Sequence, residues 1–389
     1  MRFLVICSTL DMSEPFGATP FVWQFLKGLH DAGSELTVVP YYGPAVTTPW
    51  WHSEPNPIER SAKAFRFYMK AASRTGSGKA GGSWVRDSLA PRLGSRWVLF
   101  SWERLLRHLE RQPGFDACLA IGVPLNQAEP LLLSIRTRLE IPVISYDLDA
   151  PTSLPRYGGF SFSPYLHAHP EKMDAVVIPS EGSVADLEAM GARVHVLHFG
   201  VDPELYTPLA TAKDIDVFFF GLGTGGGEHY LQMFMAEPAR QRRGRFLISG
   251  GGPNAAVPGV EIIPGIRFHE MRAYICRSKI NLNIPRSLQA EVYGTSTSRP
   301  FELAALGACI LSRPYAGLEL WYQPGKELLV VNTPEEVMEA YDWLLGDEAA
   351  RTRLGESARQ RTLKDHTMKS RAAVMVGIAQ KAIDRFQPA

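Results

Sequence analysis

Short, dense apolar runs alternate with amphipathic stretches along almost the whole chain. The first run, Arg2–Ser8, is followed by a loop containing Pro15 and Gly17. An amphipathic stretch over about Pro20–Ala32 comes next, with Gly33 where a helix-ending glycine belongs, and then a second run, Glu35–Tyr41. Runs that are apolar on both faces are the mark of buried parallel strands, because helices cover both sides of such a sheet. Strand, loop, helix, strand is therefore the opening of a doubly wound sheet. The rhythm resumes with the strand Ala117–Gly122, a helix through Glu129–Leu139 and the strand Pro142–Tyr146. It continues with the strand Ala175–Pro179, the helix Ser183–Met190 closed by Gly191, and the strand Val194–Phe199.

The same grammar then restarts. The segment Gly200–Pro208 is rich in turn formers and reads as a hinge. Asp216–Phe220 predicts a strand, Gly221–Gly227 a glycine loop, and the residues from about Glu228 a helix. Further strands are predicted at Arg245–Ser249, Glu261–Ile263, Lys279–Ile284 and Cys309–Ser312, with helices at His269–Cys276 and Ser298–Leu306 between them. Thr333-Pro-Glu-Glu336 is a capping box with proline at the first helical position, opening a helix over Glu335–Leu345. The remainder to Phe386 also reads as helix. Two α/β domains are expected, 1–200 and 201–368, with 369–389 a C-terminal helix crossing back to the first. A length of 389 residues suits that division. An irregular insertion over about 43–113 breaks the first domain. It contains helical patterning at Ile58–Ser73 and Trp97–Glu110 and a Gly/Ser-rich piece, Thr75–Ser83.

Composition adds limits. With 45% hydrophobic and 21% charged residues, the chain has apolar mass for two cores, and a net charge of +1 gives no global field toward nucleic acid, which is not an expected partner. Charge is uneven locally: Glu59–Arg111 holds 12 Lys/Arg against 4 Asp/Glu, interleaved with Phe65, Phe67, Tyr68, Trp84, Trp97 and Trp102. That stretch suits a peripheral contact with an anionic membrane or a lipid-linked acceptor, and it equally suits a solvated helical face. Four cysteines without a CxxC pair suggest neither a disulfide framework nor a zinc site, and a cytoplasmic setting is expected. The N-terminus lacks signal-peptide features, and no apolar run is long enough for a membrane-spanning helix.

Chemistry concentrates at Ser296–Ser312. Thr297 and Ser298 place hydroxyls at a helix start, whose free N–H groups and dipole favour an anion. Arg299 adds a planar fork suited to phosphate, and Glu302 follows on roughly the same face. An ordinary cap with a solvated Arg–Glu pair gives the same pattern. In the glycine loop, Gly221, Gly223 and Gly226 fit a dinucleotide register, whereas Gly225 and Gly227 crowd it. The zone about 20 residues on, Ala239–Gly244, offers no acid for a ribose, which argues against a nicotinamide dehydrogenase. Asp147 and Asp149, in Ser145-Tyr-Asp-Leu-Asp-Ala-Pro151, read either as a D-x-D metal pair or as a strand-end loop facing a ligand. Asp11 and Gly17 follow the first strand, and His198 ends the first half.

Residues 196–366 resemble the C-terminal half of the group-1 family of GT-B glycosyltransferases, closest to its spore-maturation-type (CgeB-like) branch. The resemblance rests on Phe199–Tyr206, the glycine loop after Phe220, Arg299-Pro-Phe-Glu-Leu-Ala-Ala-Leu-Gly-Ala308, Tyr315–Glu327, Leu344–Asp347 and Asp365–Thr367. It implies two Rossmann-like parallel-sheet domains and retaining transfer of a sugar from a nucleoside-diphosphate sugar, with no cofactor or metal required. Glu302 would hold the donor ribose, with Ser298 and Arg299 on the diphosphate. Thr297, Gly221, Gly223, Gly225 and Glu291 complete the expected donor set. Asp147 aligns with a His-Asp loop of the acceptor domain in which Tyr146 replaces the histidine, making both catalytic candidates. Gly17, Asp11, Asp149 and His198 are expected on the side of an acceptor, which would be a glycan, a lipid-linked sugar or a small molecule. The chain departs from the family where an earlier glutamate is usual: eight residues before Glu302 stands Gly294. A same-fold epimerase or phosphorylase, and a non-catalytic two-lobed binding protein, are the competing readings.

Overall fold

The computed structural model describes residues 1–12, 20–59, 90–157, 164–221, 228–250 and 259–387, which form two compact units. Met1–Asp11, Phe25–Leu197 and Ala372–Ala389 make the first; Met12–Gln24 and His198–Arg371 make the second. Gly17, Gly223, Gly225 and the Gly/Ser-rich piece lie outside the described residues.

In chain order the first elements are β1 (Arg2–Cys7), α1 (Pro20–Asp31), β2 (Glu35–Pro40), β3 (His52–Ser53), α2 (Ala90–Leu109), β4 (Ala117–Ile121), α3 (Leu125–Arg138), β5 (Val143–Tyr146), β6 (Ala175–Ile178), α4 (Val184–Glu188) and β7 (Val194–Val196). Their strands form one parallel sheet of order β3-β2-β1-β4-β5-β6-β7. β4 is buried at every position, as a strand covered on both faces should be. Leu4, Ile6, Trp102, Leu106, Leu131, Ile135 and Val176 share its core.

The remaining elements are β8 (Ile215–Phe220), α5 (Glu228–Leu231), a π-helical turn (Gln232–Ala236), α6 (Glu237–Gln241), β9 (Phe246–Ser249), β10 (Glu261–Ile263), α7 (Phe268–Arg277), β11 (Ser278–Asn283), α8 (Ser287–Glu291), α9 (Ser298–Ala305), β12 (Ile310–Ser312), β13 (Leu329–Val330), α10 (Pro334–Gly346), α11 (Glu348–Asp365) and α12 (Met368–Arg385). The second sheet is again all parallel, of order β10-β9-β8-β11-β12-β13. Both sheets thus start in the middle, run outward, and return to the other side of the first strand. Ligands of such folds gather at the carboxyl ends of the strands where the order reverses, here between β1 and β4 and between β8 and β11.

Most predicted elements agree with these within a residue or two. The capping box is present: Glu336 N–H donates to Thr333 Oγ1 at 3.2 Å. Four differences are informative. β7 stops at Val196, short of the expected Phe199, because the Phe199 N–H leaves the ladder and donates to Ser296 Oγ at 2.9 Å. Ser183–Met190 shortens to a 3₁₀ turn, Glu181–Ser183, followed by α4. The insertion contributes β3, which pairs Thr37 with His52 and Val38 with Ser53, and a helix that begins before Trp97. α8 and β13 were not expected; both are too short for periodicity to reveal.

Candidate active site

The chemistry of the second unit gathers at its switch point. Thr297 is extended (φ −129°, ψ 160°), and α9 starts at Ser298 without a side-chain cap from Thr297. Pro300, third in the helix, has no N–H, so the donors at this end are the amides of Ser298 and Arg299. The Arg299 guanidinium bridges the crevice between β8 and β11. Its Nη2 donates to the Phe220 carbonyl at 2.7 Å, and its Nη1 donates to the Ile284 carbonyl at 3.2 Å. It lies over the rings of Phe219 and Phe220, 5.0 and 4.7 Å from their centroids, and among the described residues its Nε has no hydrogen-bond partner. Burial lowers its pKa to about 10, with the Arg286 charge acting the same way and Glu302 opposing, so it remains a cation at neutral pH.

This approach explains one glycine. Gly221 has φ +149°, and a Cβ there would come within 2.9 Å of Arg299 Nη2. Gly294 explains the departure noted in the sequence. It has φ +61°, and its backbone packs so tightly on Gly317 that a Cβ on Gly317 would collide with it. A glutamate at 294 would be strained in that backbone conformation. Glu291, the nearest acid before it, ends α8 and is exposed.

Glu302 is only 3% exposed. It accepts from Gln24 Nε2 at 3.4 Å, while Gln24 Oε1 accepts from the Asp202 N–H at 2.6 Å. Burial, with the nearby Glu302 carboxylate adding to it, drives the Tyr206 phenol well above its usual range, although its hydroxyl lies outside strict hydrogen-bond geometry. Burial pushes the Glu302 carboxyl above its ordinary value; Tyr206, Arg299, Gln24 and Ser298 only partly counter it. His198 groups with this second unit, edge-on to Trp321 at 5.2 Å.

Sequence reasoning missed the cation that ends the next strand. Arg313 follows β12, is 5% exposed, and stacks on Tyr230 with 3.7 Å from Cζ to the ring centroid. Burial lowers its pKa. An arginine directly after the apolar run Cys309–Ser312 is a strand-end position in a doubly wound sheet, a signal that could have identified it.

The first unit places different chemistry at its strand ends. A cavity of about 350 Å³ is lined by Tyr42, Gly122–Leu125, Ser145, Asp147, Asp149, Pro164 and Tyr165. A larger hollow of about 620 Å³ opens at the opposite ends of β1 and β2, beside Arg2, Glu35 and Trp50. The carboxyl-end rule favours the smaller one. Asp147 shapes its wall: Oδ1 accepts from the Asp149 N–H at 2.9 Å and Oδ2 from the Ser153 hydroxyl. Burial raises the Asp147 pKa against those bonds, and burial beside Asp147 drives the Tyr165 phenol well above its usual range. Asp149 is exposed. Tyr146 is absent from the lining. It is 1% exposed, its hydroxyl donates to the Leu197 carbonyl at 2.9 Å, and its ring meets Phe25 edge-on. Asp11 lies past β1, its N–H bonded to Thr9 Oγ1 at 3.2 Å. Among the described residues no cluster of three His, Cys, Asp or Glu side chains could hold a metal ion, and no helix is long and apolar enough to cross a membrane.

Comparison with known proteins bears on both units. Residues 232–377 match a family model described as glycosyl transferase-like. No curated protein sequence matches the chain. Among solved structures, the sucrose-phosphate synthase of Thermosynechococcus elongatus is similar over 98% of this chain and 99% of its own, with TM-score 0.65 and 14% identity. HepE of Anabaena, solved in complex with UDP-glucose, is similar over 97% of this chain and 100% of its own, with TM-score 0.60 and 10% identity. A trehalose-6-phosphate protein of E. coli bound with UDP-2-fluoro glucose is similar over 98% and 99%, with TM-score 0.61 and 13% identity. The chain has the two-sheet GT-B fold of these structures, and its residues 232–377 match the glycosyl transferase-like family model.

Proposed function

We propose that the protein is a glycosyltransferase that moves a sugar from a nucleoside-diphosphate sugar to an acceptor hydroxyl, with retention of configuration. The observation that carries this reading is Arg299: a cation bonded to both strand ends of the second switch point, on the first turn of a helix that Thr297 leaves without a side-chain cap. A diphosphate fits that combination of dipole and fork. Glu302, one turn on, is the carboxylate we assign to the ribose hydroxyls, with Tyr206 and Gln24 orienting it. UDP and UDP-glucose in the similar HepE structures support this donor class.

In the transfer, the bond between the anomeric carbon and the diphosphate oxygen breaks and its electron pair leaves on the nucleoside diphosphate. The acceptor oxygen bonds to the anomeric carbon and passes its proton to an oxygen of the departing diphosphate. Charge grows on the leaving diphosphate, which Arg299 and the helix start stabilise without reorganisation. In the first unit, the cavity beside Asp147 takes the acceptor. Asp147 fixes the loop through its bonds to Ser153 and to the Asp149 amide, and Asp149 meets the acceptor hydroxyl. Phe100, 80% exposed on α2, with exposed Arg104 and Arg107 on the same face, supports a peripheral contact with anionic lipid. The strings Phe199–Tyr206 and Tyr315–Glu327 support the spore-maturation-type branch.

A panel of UDP-, GDP- and dTDP-sugars tests the reading by thermal shift and by release of nucleoside diphosphate. One nucleotide class should raise the melting temperature and be slowly hydrolysed. No shift and no release across the panel would overturn it.

A further inference from the structure

Arg313 has an electrostatic problem that the chain itself leaves unsolved. Its side chain is 5% exposed, yet its Nε has no hydrogen-bond partner among the described residues. Its side-chain bond, Nη1 to Ser287 Oγ, is long at 3.5 Å. Among the described residues no carboxylate comes within ion-pair distance of it, although the charge of exposed Glu291 is felt there. Tyr230 covers one face of the guanidinium but offers it no counter-charge. A buried guanidinium with one long hydrogen bond to Ser287, the Tyr230 side chain beside it and no carboxylate paired to it among the described residues is costly unless an anion completes it.

The position of Arg313 says which anion. The short turn from β11 into α8 takes both neighbouring cations: Arg299 donates to the Ile284 carbonyl, and Arg313 donates to Ser287 Oγ. Arg286, in the same turn, is close enough for its charge to act on Arg299. The Arg313 backbone is tied to this place, its N–H donating to the Asn283 carbonyl at 3.3 Å. Glu302, Arg299, the turn and Arg313 therefore form a continuous series, with the carboxylate assigned to the ribose at one end. We propose that Arg313 grips the donor phosphate farther from the nucleoside, the one bonded to the sugar. This rests on the donor-site reading above. The Nε–Nη edge of a guanidinium matches two phosphate oxygens, and the Tyr230 ring holds the fork in plane. The sugar-bonded phosphate is also where negative charge grows as the glycosidic bond breaks, so the same contact would assist departure.

The test compares nucleoside diphosphates with their monophosphates, UDP with UMP and GDP with GDP's counterpart GMP, by calorimetric titration of the full-length protein. The wild type should prefer its diphosphate by about 30-fold or more, the scale of one desolvated charge-assisted contact. Arg313→Ala should reduce that preference to about threefold or less while monophosphate affinity stays within about twofold. Arg313→Lys retains charge and hydrogen-bonding capacity, loses the fork, and should keep an intermediate preference. Tyr230→Leu should move it in the same direction as Arg313→Ala. Equal weakening of both ligands, or an undiminished diphosphate preference in both Arg313 variants, would overturn the assignment while leaving nucleotide binding intact. A wild type that binds none of the four nucleotides would instead remove the donor-site reading, and this inference with it.

Discussion

The two sheets are built on one plan and carry opposite chemistry. Each reverses its strand order beside its first strand, and each gathers polar groups at the carboxyl ends there. In the second sheet those groups are arginines: Arg299 bonded to the ends of β8 and β11, and Arg313 at the end of β12. In the first they are carboxylates and phenols: Asp147, Asp149, Tyr42 and Tyr165. The fold decides where a ligand goes, and the charge set there decides which ligand. A cationic strand end suits a diphosphate; a strand end with carboxylates and aromatic walls suits a neutral, hydroxylated molecule.

That contrast can be broken at either end. The largest effect is expected from Glu302→Gln, which should weaken binding of the preferred nucleotide by about 100-fold, since bonds from two ribose hydroxyls to a charged acceptor are lost. The same variant should raise the melting temperature of the ligand-free protein at neutral pH. Burial raises the Glu302 pKa in the folded state, so ionisation penalises folding in full above the folded pKa, and the penalty shrinks as pH falls below that value and is gone below the unfolded pKa. The stabilisation by Glu302→Gln should therefore fade on acidification, as followed by melting curves across pH. A smaller effect is expected in the first unit. Asp149→Asn should lower turnover with acceptor by about 10-fold to 100-fold and leave nucleotide affinity within about twofold. An equal fall in nucleotide affinity would erase the division of labour between the sheets.

Much of this plan is legible along the chain. The strands are apolar on both faces, so runs such as Asp216–Phe220 and Ala117–Gly122 declare themselves, and turn glycines mark helix ends. The start of α9 is legible because hydroxyls, proline and the helical pattern are local. The site is less legible where partners are distant in sequence. Nothing near Arg313 announces Tyr230 or Ser287, and nothing near Asp147 announces Tyr165. Tyr146 misleads for the same reason: beside Asp147 in sequence it looks like a site residue, but strand geometry sends it toward Phe25 and Leu197. Gly294 shows the reverse case, in which a missing acid has a local cause, a left-handed backbone packed on Gly317.

The central claim is that the start of α9 and Arg299 hold a diphosphate, and a crystal structure of the protein with its preferred nucleoside diphosphate tests it most directly. The account predicts diphosphate oxygens about 3 Å from the Ser298 amide and from the Arg299 guanidinium, with the ribose on Glu302. A nucleotide bound away from α9, with Arg299 still bonded only to the Phe220 and Ile284 carbonyls, would contradict it.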